Sequence, residues 1–229
     1  MSRHQTKAQT VVIIGMGDTG VLVAARLSRH FNVIGISTKP NLVSGQELGK
    51  RLADLSWWNR YYNTPLRRFK ALVGVEIRHA KAERVDLVNK RVAVVDKSNS
   101  ETLIDFDFLV IASGTSNGFW RDDNLRSEAQ IDGRLKRDAA AIRDANTLAI
   151  IGGGPCGVSC ALNIRRAYPE KIVSLYISAD LPLRGYHEEA RKYYQRELTA
   201  TGVKIFSGHR AVTEDPKPNK GTILFESGQ

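Results

Sequence analysis

Val11-Val12-Ile13-Ile14-Gly15-Met16-Gly17-Asp18-Thr19-Gly20 is the stretch on which the fold turns. Four β-branched residues suit a strand buried on both faces, and a glycine-rich turn follows at once. Residues 21–27 continue with helical composition, and Val33-Ile34-Gly35-Ile36 reads as a second strand. Strand, glycine turn, helix and strand in about 25 residues make a βαβ unit with a right-handed crossover.

The same pattern returns downstream. Leu148-Ala149-Ile150-Ile151 runs into Gly152-Gly153-Gly154-Pro155-Cys156-Gly157, then a helical stretch, then Ile172-Val173-Ser174-Leu175-Tyr176-Ile177. Gly15 and Gly152 lie 137 positions apart, so the chain repeats one βαβ unit internally. Between the copies, residues 44–72 look helical and irregular, while 75–104 alternate in three or four short segments expected to form a β-meander. Phe108-Leu109-Val110-Ile111-Ala112 reads as a buried strand, and residues 127–145 as an exposed helix. Beyond the second copy, residues 187–201 look helical. Val203-Lys204-Ile205-Phe206 and Thr222-Ile223-Leu224-Phe225 look like strands, with a turn over 214–221 between them.

Composition bounds the function classes. The chain has 229 residues, 42% hydrophobic and 25% charged, which excludes disordered, collagen-like and disulfide-stapled proteins. No apolar run approaches the ~18 residues of a membrane span. The first ten residues lack the apolar stretch of a secretory signal, so a soluble cytoplasmic protein is expected. Cys156 and Cys160 are four apart, which is neither a Cys-x-x-Cys redox pair nor a zinc pattern; both fit a helix as small apolar residues, and no metal is expected. The net charge of +10 favours anionic partners (nucleic acid, an anionic membrane surface, phosphate-bearing ligands) without choosing among them.

The two glycine turns favour a dinucleotide over the alternative of a plain strand–helix turn, each copy supporting the other. Gly15 permits a tight turn off the strand, Gly17 lets the backbone approach a pyrophosphate, and Gly20 lets the helix pack closely on the strand. The anion then meets unpaired N–H groups and the favourable end of the helix dipole, where Asp18 could cap the helix and Thr19 could face the ligand. Gly152, Gly154, Pro155, Cys156 and Gly157 repeat that arrangement. The acidic residue that usually grips a ribose hydroxyl at the end of the second strand is absent from both units. Ser37-Thr38-Lys39 and Ser178-Ala179 stand there instead; Ser and Thr can still hydrogen-bond a ribose, without a charged acceptor. In the second unit, Arg184 near the missing acid leaves NADP as open as NAD, unless it is simply a solvated loop cation.

The order of these parts carries a resemblance. A first glycine turn, a helical insert, a meander, Asp107-Phe108-Leu109-Val110-Ile111-Ala112-Ser113-Gly114 and a second glycine turn resemble the two-dinucleotide-domain flavoproteins of the pyridine nucleotide–disulfide oxidoreductase superfamily. Without a cysteine pair near residue 45, the chain looks most like the type II NADH dehydrogenase and apoptosis-inducing-factor-like branch. The expected fold class is therefore α/β: two Rossmann-like βαβ dinucleotide-binding units with a β-meander inserted in the first. The resemblance implies an FAD-binding domain over 1–145 and an NAD(P)H-binding domain over 146–229. It places Ala112, Ser113 and Gly114 beside the FAD, and Ala82 in the segment that meets the adenine. It implies hydride transfer from nicotinamide to flavin, then electron delivery to a small-molecule acceptor such as a quinone. No side chain is needed as a general acid or base, so no catalytic residue is assigned.

Two other classes fit parts of the pattern: a redox-sensing or degenerate dinucleotide binder without turnover, and a nucleic-acid binder whose charge is the point. Residues 57–70 interleave Trp57, Trp58, Tyr61 and Tyr62 with Arg60, Arg67, Arg68 and Lys70, which suits single-stranded nucleic acid or peripheral contact with an anionic bilayer. The aromatics are adjacent rather than helically spaced, so a helical insert packed over the flavin domain is expected, with no specific nucleic-acid partner. His187 is expected to start a helix or to pack in the core rather than to act in catalysis. In the resembled family the chain continues past the nicotinamide domain and returns to the flavin domain. The expectation is therefore a C-terminally truncated form, its second unit lacking a closing strand, that binds its cofactors weakly and turns over slowly.

Overall fold

The computed structural model of the protein describes residues 9–43, 48–58, 60, 63–115, 123–212, 223–226 and 228. Along the chain, strand β1 (Thr10–Ile14) leads into helix α1 (Asp18–Leu27) and β2 (Asn32–Ser37). A short hairpin strand β3 (Asn41–Val43) precedes the small helices α2 (Leu48–Ala53) and α3 (Leu55–Trp57), and β4 (Asn63–Pro65) completes the hairpin. Then come β5 (Glu76–His79), β6 (Lys81–Asp86), β7 (Arg91–Val95), β8 (Glu101–Asp105) and β9 (Phe108–Ile111). Helix α4 (Glu128–Asp144) leads to β10 (Thr147–Ile151), α5 (Pro155–Ala167), β11 (Ile172–Tyr176), α6 (Glu188–Thr201) and β12 (Lys204–Phe206).

Two compact units result: one from residues 1–45 and 59–135, the other from 46–58 and 136–229. In the first, a parallel sheet runs in the order β5-β2-β1-β9. Strand geometry sends alternate residues of β1 to opposite faces. Val11 and Ile13 pack with Ala24 of α1, while Val12 packs with Val92, Val94 and Ile104 of the meander. All three β1 residues are buried, and each such side chain contributes about 1.5–3 kcal/mol. The meander itself is the antiparallel sheet β6-β7-β8.

In the second unit the parallel order is β10-β11-β12. Helix α5 buries Val158, Ala161 and Leu162, three to four residues apart, against Val173 and Leu175 of β11 and Leu198 of α6. Lys171 is 6% exposed, yet its ammonium is satisfied: it donates at 2.6 Å to the carbonyl oxygens of Arg143 and Ala145. Those carbonyls lie at the end of α4, where a helix leaves acceptors unpaired and its dipole favours a cation.

Several elements differ from the sequence expectations. The segment Glu76–His79 does not join the meander; it pairs in parallel with β2, because alternation looks the same in either sheet. Helix α4 is not merely exposed: Ile131, Leu135 and Ala139, four apart, are buried, and a capping box of Ser127 and Gln130 starts it. The insert does not simply cover the first unit. Helix α2 belongs to the second, where Gly49 sits so close to Ser159 and Cys160 of α5 that a Cβ would overlap their backbone. The compact units therefore do not follow a single cut at 145/146. From the end of the chain, Phe225 makes one antiparallel bridge with Ala211 instead of a strand, while the turn read over 214–221 and Thr222 lie outside the described residues.

Candidate functional site

The first glycine turn is built by three glycines with three different jobs. Gly15 has φ +98, the left-handed region that favours glycine, and its N–H donates to Ile36 O at 2.9 Å. A Cβ there would overlap the carbonyl of Ala112 just beyond β9. Gly20 is buried in the first turn of α1, and a Cβ on it would overlap the carbonyl oxygen of Gly15. Gly17 is the N-cap residue, and a Cβ on it would meet nothing within 4 Å. That open direction lets a ligand phosphate come close to the protein backbone. Asp18 is the first residue of α1 and not its cap; the cap position is Gly17, with no side-chain cap bond.

The N-terminus of α1 opens on a cavity of about 700 Å³. Its walls include Gly15, Gly17, Asp18 and Thr19 from the turn, Ser37, Thr38 and Lys39 from the end of β2, and Ala82 from β6. Ala112, Ser113 and Gly114 close the side beyond β9. Every candidate of the first unit thus lines one space except Gly20, which lies beneath the turn. The volume suits a cofactor-sized ligand, and the helix N-terminus suits a pyrophosphate within it. The residues present fit the adenosine-diphosphate part of FAD.

The wall residues not assigned from the sequence include Asn41, Lys81 and Asp123. Lys81 pairs with Glu83 at 3.2 Å and Asp123 at 3.4 Å, and the hydrogen bond to Glu83 chiefly holds its pKa above the usual lysine range. The fingerprint of such units names glycines and a strand-end acid, so nothing in it pointed to these three. Ser37 is present but engaged: its hydroxyl donates to Lys39 O at 2.7 Å. His79 meets Thr38 O through Nε2 at 3.1 Å, and burial lowers its pKa.

The second turn repeats the geometry. Gly152 has φ +110 and its N–H donates to Tyr176 O at 2.9 Å; Gly154 is the N-cap of α5, and a Cβ there would meet nothing within 4 Å. Gly157 lies so close to Gly152 that a Cβ would overlap its carbonyl oxygen. Pro155 occupies the start of α5, where a missing N–H costs nothing. Cys156 is exposed, whereas burial, with a smaller push from Cys156, raises the Cys160 thiol to about 12.

Ser178 is exposed beyond β11, and the loop after it folds back on the turn: Leu183 N donates to Gly153 O at 2.6 Å. Arg191 pins that loop, donating to Pro182 O at 3.1 Å and Leu181 O at 3.3 Å, and so leaves exposed Arg184 next to the residue bonded to Gly153. His187 caps α6, its Nδ1 accepting from Glu189 N at 3.3 Å, as its sequence position suggested. In the insert, Trp58 is buried at 2% exposure and Lys50 Nζ lies 3.4 Å from the Trp57 ring centroid; Tyr61 and Tyr62 lie outside the described residues. Among the described residues no three His, Cys, Asp or Glu side chains cluster as metal ligands, and no helix is long and apolar enough to cross a membrane.

The pyridine nucleotide-disulphide oxidoreductase family matches residues 9–229, and the chain belongs to it. Members of this family bind FAD and NAD(P)H. The chain is 28% identical over 140 residues to ferroptosis suppressor protein 1 of Xenopus tropicalis, a match that covers 59% of this chain and 36% of that protein. Among solved structures, it resembles reduced CoADR-RHD of Bacillus anthracis with a TM-score of 0.73 at 17% identity, covering 98% of this chain and 42% of that one. NDH2 of Plasmodium falciparum in complex with NADH is similar with a TM-score of 0.68 at 14% identity, covering 91% of this chain and 50% of that one. These solved structures establish the α/β fold. The match to the curated relative spans about a third of that protein's length, and the chain covers half or less of these two solved chains.

Proposed function

We propose that this member of the family is an FAD-dependent NAD(P)H oxidoreductase. FAD lies on the first unit and the nicotinamide nucleotide on the second. The observation that carries the reading is the paired N-cap glycines, Gly17 and Gly154, each open at the position a Cβ would take and each at the start of a helix. Their φ values, -80 and -76, suit any residue and nothing packs on them, so neither the turn nor the packing calls for glycine, whereas close approach of a ligand does. When bound, FAD would supply the two-electron acceptor for nicotinamide hydride and pass the electrons onward.

The chain's own residues then bind and orient. The N–H groups that begin α1 and α5 receive the two pyrophosphates, and Gly20 and Gly157 hold each helix against its turn. Ala82 is assigned to the adenine side of the first cavity, and Ala112, Ser113 and Gly114 to the flavin side. Ser178 and Arg184 are assigned to the ribose end of the nicotinamide nucleotide. The electron acceptor is a small molecule such as a quinone, as the resemblance to the type II NADH dehydrogenase branch implies. A cytoplasmic protein with peripheral membrane contact accords with the net charge of +10.

Titrating the chain with FAD and then NADH, followed by flavin fluorescence and absorbance, tests the binding half. Oxidation of NADH with a soluble quinone and added FAD tests the chemistry. Failure of FAD to bind sinks the proposal; binding of both nucleotides without turnover supports a redox-sensing role instead.

A further inference from the structure

We propose that Asn41 supplies the acceptor that the first unit's strand end lacks. Its side-chain carbonyl oxygen takes a hydrogen bond from a ribose hydroxyl in the adenosine half of the bound dinucleotide. The inference rests on reading the first cavity as a dinucleotide site.

A ribose beside the end of β2 needs an acceptor, and in such units an Asp or Glu ordinarily provides it. At that position Ser37 and the Thr38 carbonyl are otherwise engaged. Ser37 is 8% exposed, and its hydroxyl donates to Lys39 O at 2.7 Å while accepting from Lys39 N at 3.2 Å. The Thr38 carbonyl accepts from Arg126 N at 3.0 Å and meets His79 Nε2 at 3.1 Å. Two residues past Lys39, Asn41 begins β3, lines the same cavity and is 2% exposed.

The orientation of its amide follows from its neighbours. Asn63 Nδ2 donates to Asp132 Oδ1 at 3.3 Å, and Asn41 Nδ2 donates to Asn63 Oδ1 at 2.8 Å. An ionised carboxylate can only accept, so Asp132 draws the NH₂ end of Asn63. Asn63 is left presenting its oxygen, which in turn draws the NH₂ end of Asn41. The free end of the chain is therefore an oxygen. Asn41 Oδ1 is buried and has no hydrogen-bond partner among the described residues. A buried acceptor without a donor is an expensive arrangement that native proteins seldom keep without a use. Pyrophosphate oxygens cannot donate, whereas a ribose hydroxyl can; the adenine amino group also can, but it would leave ADP and its deoxy analogues bound alike.

The test compares ADP with 2′-deoxy-ADP and 3′-deoxy-ADP, each titrated calorimetrically against the full chain and against Asn41→Leu, with FAD titrated in parallel. The wild type should prefer ADP over one of the deoxy analogues by roughly fivefold, and Asn41→Leu should erase that preference while weakening FAD by a similar factor. Thermal unfolding without nucleotide is the control. A lower midpoint in Asn41→Leu with the ADP preference intact would mean a structural role and overturn the inference, as would a wild type indifferent to both deoxy analogues. If the wild type binds neither ADP nor FAD, the dinucleotide reading falls and this inference with it. If it binds both and the variant is unchanged, only the inference falls.

Discussion

The two glycine turns are nearly the same object set in different surroundings. At each, a first glycine in the left-handed region donates a backbone hydrogen bond to the neighbouring strand, a second caps the helix with an open Cβ direction, and a third touches the first. The difference lies beside them. Strand β1 runs between β2 and β9, and the chain leaving β9 presses on Gly15. Strand β10 ends the order β10-β11-β12 among the described residues, and a Cβ on Gly152 would meet nothing within 4 Å. The inner residues Val11, Val12 and Ile13 are buried, whereas Thr147, Ala149 and Ile151 are exposed. The phosphate-binding turn is thus a local device of one strand and one helix. The sheet around it adds packing constraints without altering its form.

That view can be broken most sharply at the third glycines. Gly20→Ala and Gly157→Ala should each lower stability by about 3 kcal/mol or more, because the added Cβ meets a backbone carbonyl that cannot rotate away. Chemical denaturation measures both, and similar losses are expected. The second glycines should behave in the opposite way. Gly17→Val and Gly154→Val should leave thermal midpoints near the wild type. The first should weaken FAD, and the second NAD(P)H, on the order of 100-fold, about 2.7 kcal/mol. Loss of both nucleotides from either variant would show that the turns do not act separately.

The first glycines test the surroundings. Both pay roughly 1–2 kcal/mol for a side chain in the left-handed region, but Gly15→Ala adds the overlap with Ala112. It should therefore cost measurably more than Gly152→Ala. Equal losses would remove the distinction between the turns. Arg184→Ala probes the second unit alone: NADPH should weaken about tenfold and NADH by less than about twofold. Equal effects on the two would mark Arg184 as a solvated charge.

The smallest effect belongs to the first unit alone. Burial holds the His79 pKa below 6.5, so the unfolded chain binds the proton more readily and stability falls as pH drops through and below that value. His79→Gln should reduce the loss of thermal midpoint between pH 7.5 and 5.5 by about one or two degrees.

Much of this was legible in the sequence because strand–turn–helix signals are local. Val11 to Ile14 and the glycines after them need only their neighbours to declare a strand and a phosphate turn. What escaped depends on contacts across the chain. Glu76–His79 alternates like the meander beside it, and only the pairing with β2 reveals its sheet. Gly49 gives no hint in sequence that it is where α2 meets α5. Asn41 is one polar residue in a three-residue strand, and its importance appears only once Asn63 and Asp132, distant in sequence, fix its amide.

The contrast between the two cysteines has a practical side. Burial pushes the Cys160 pKa up to about 12 and so suppresses its thiolate at pH 7, while Cys156 stands exposed at the start of α5. Thiol-directed dyes at neutral pH should therefore attach at one position without any engineering. That position lies within the second glycine turn, so the labelling rate itself becomes a gauge of nucleotide occupancy, slowing as the turn fills.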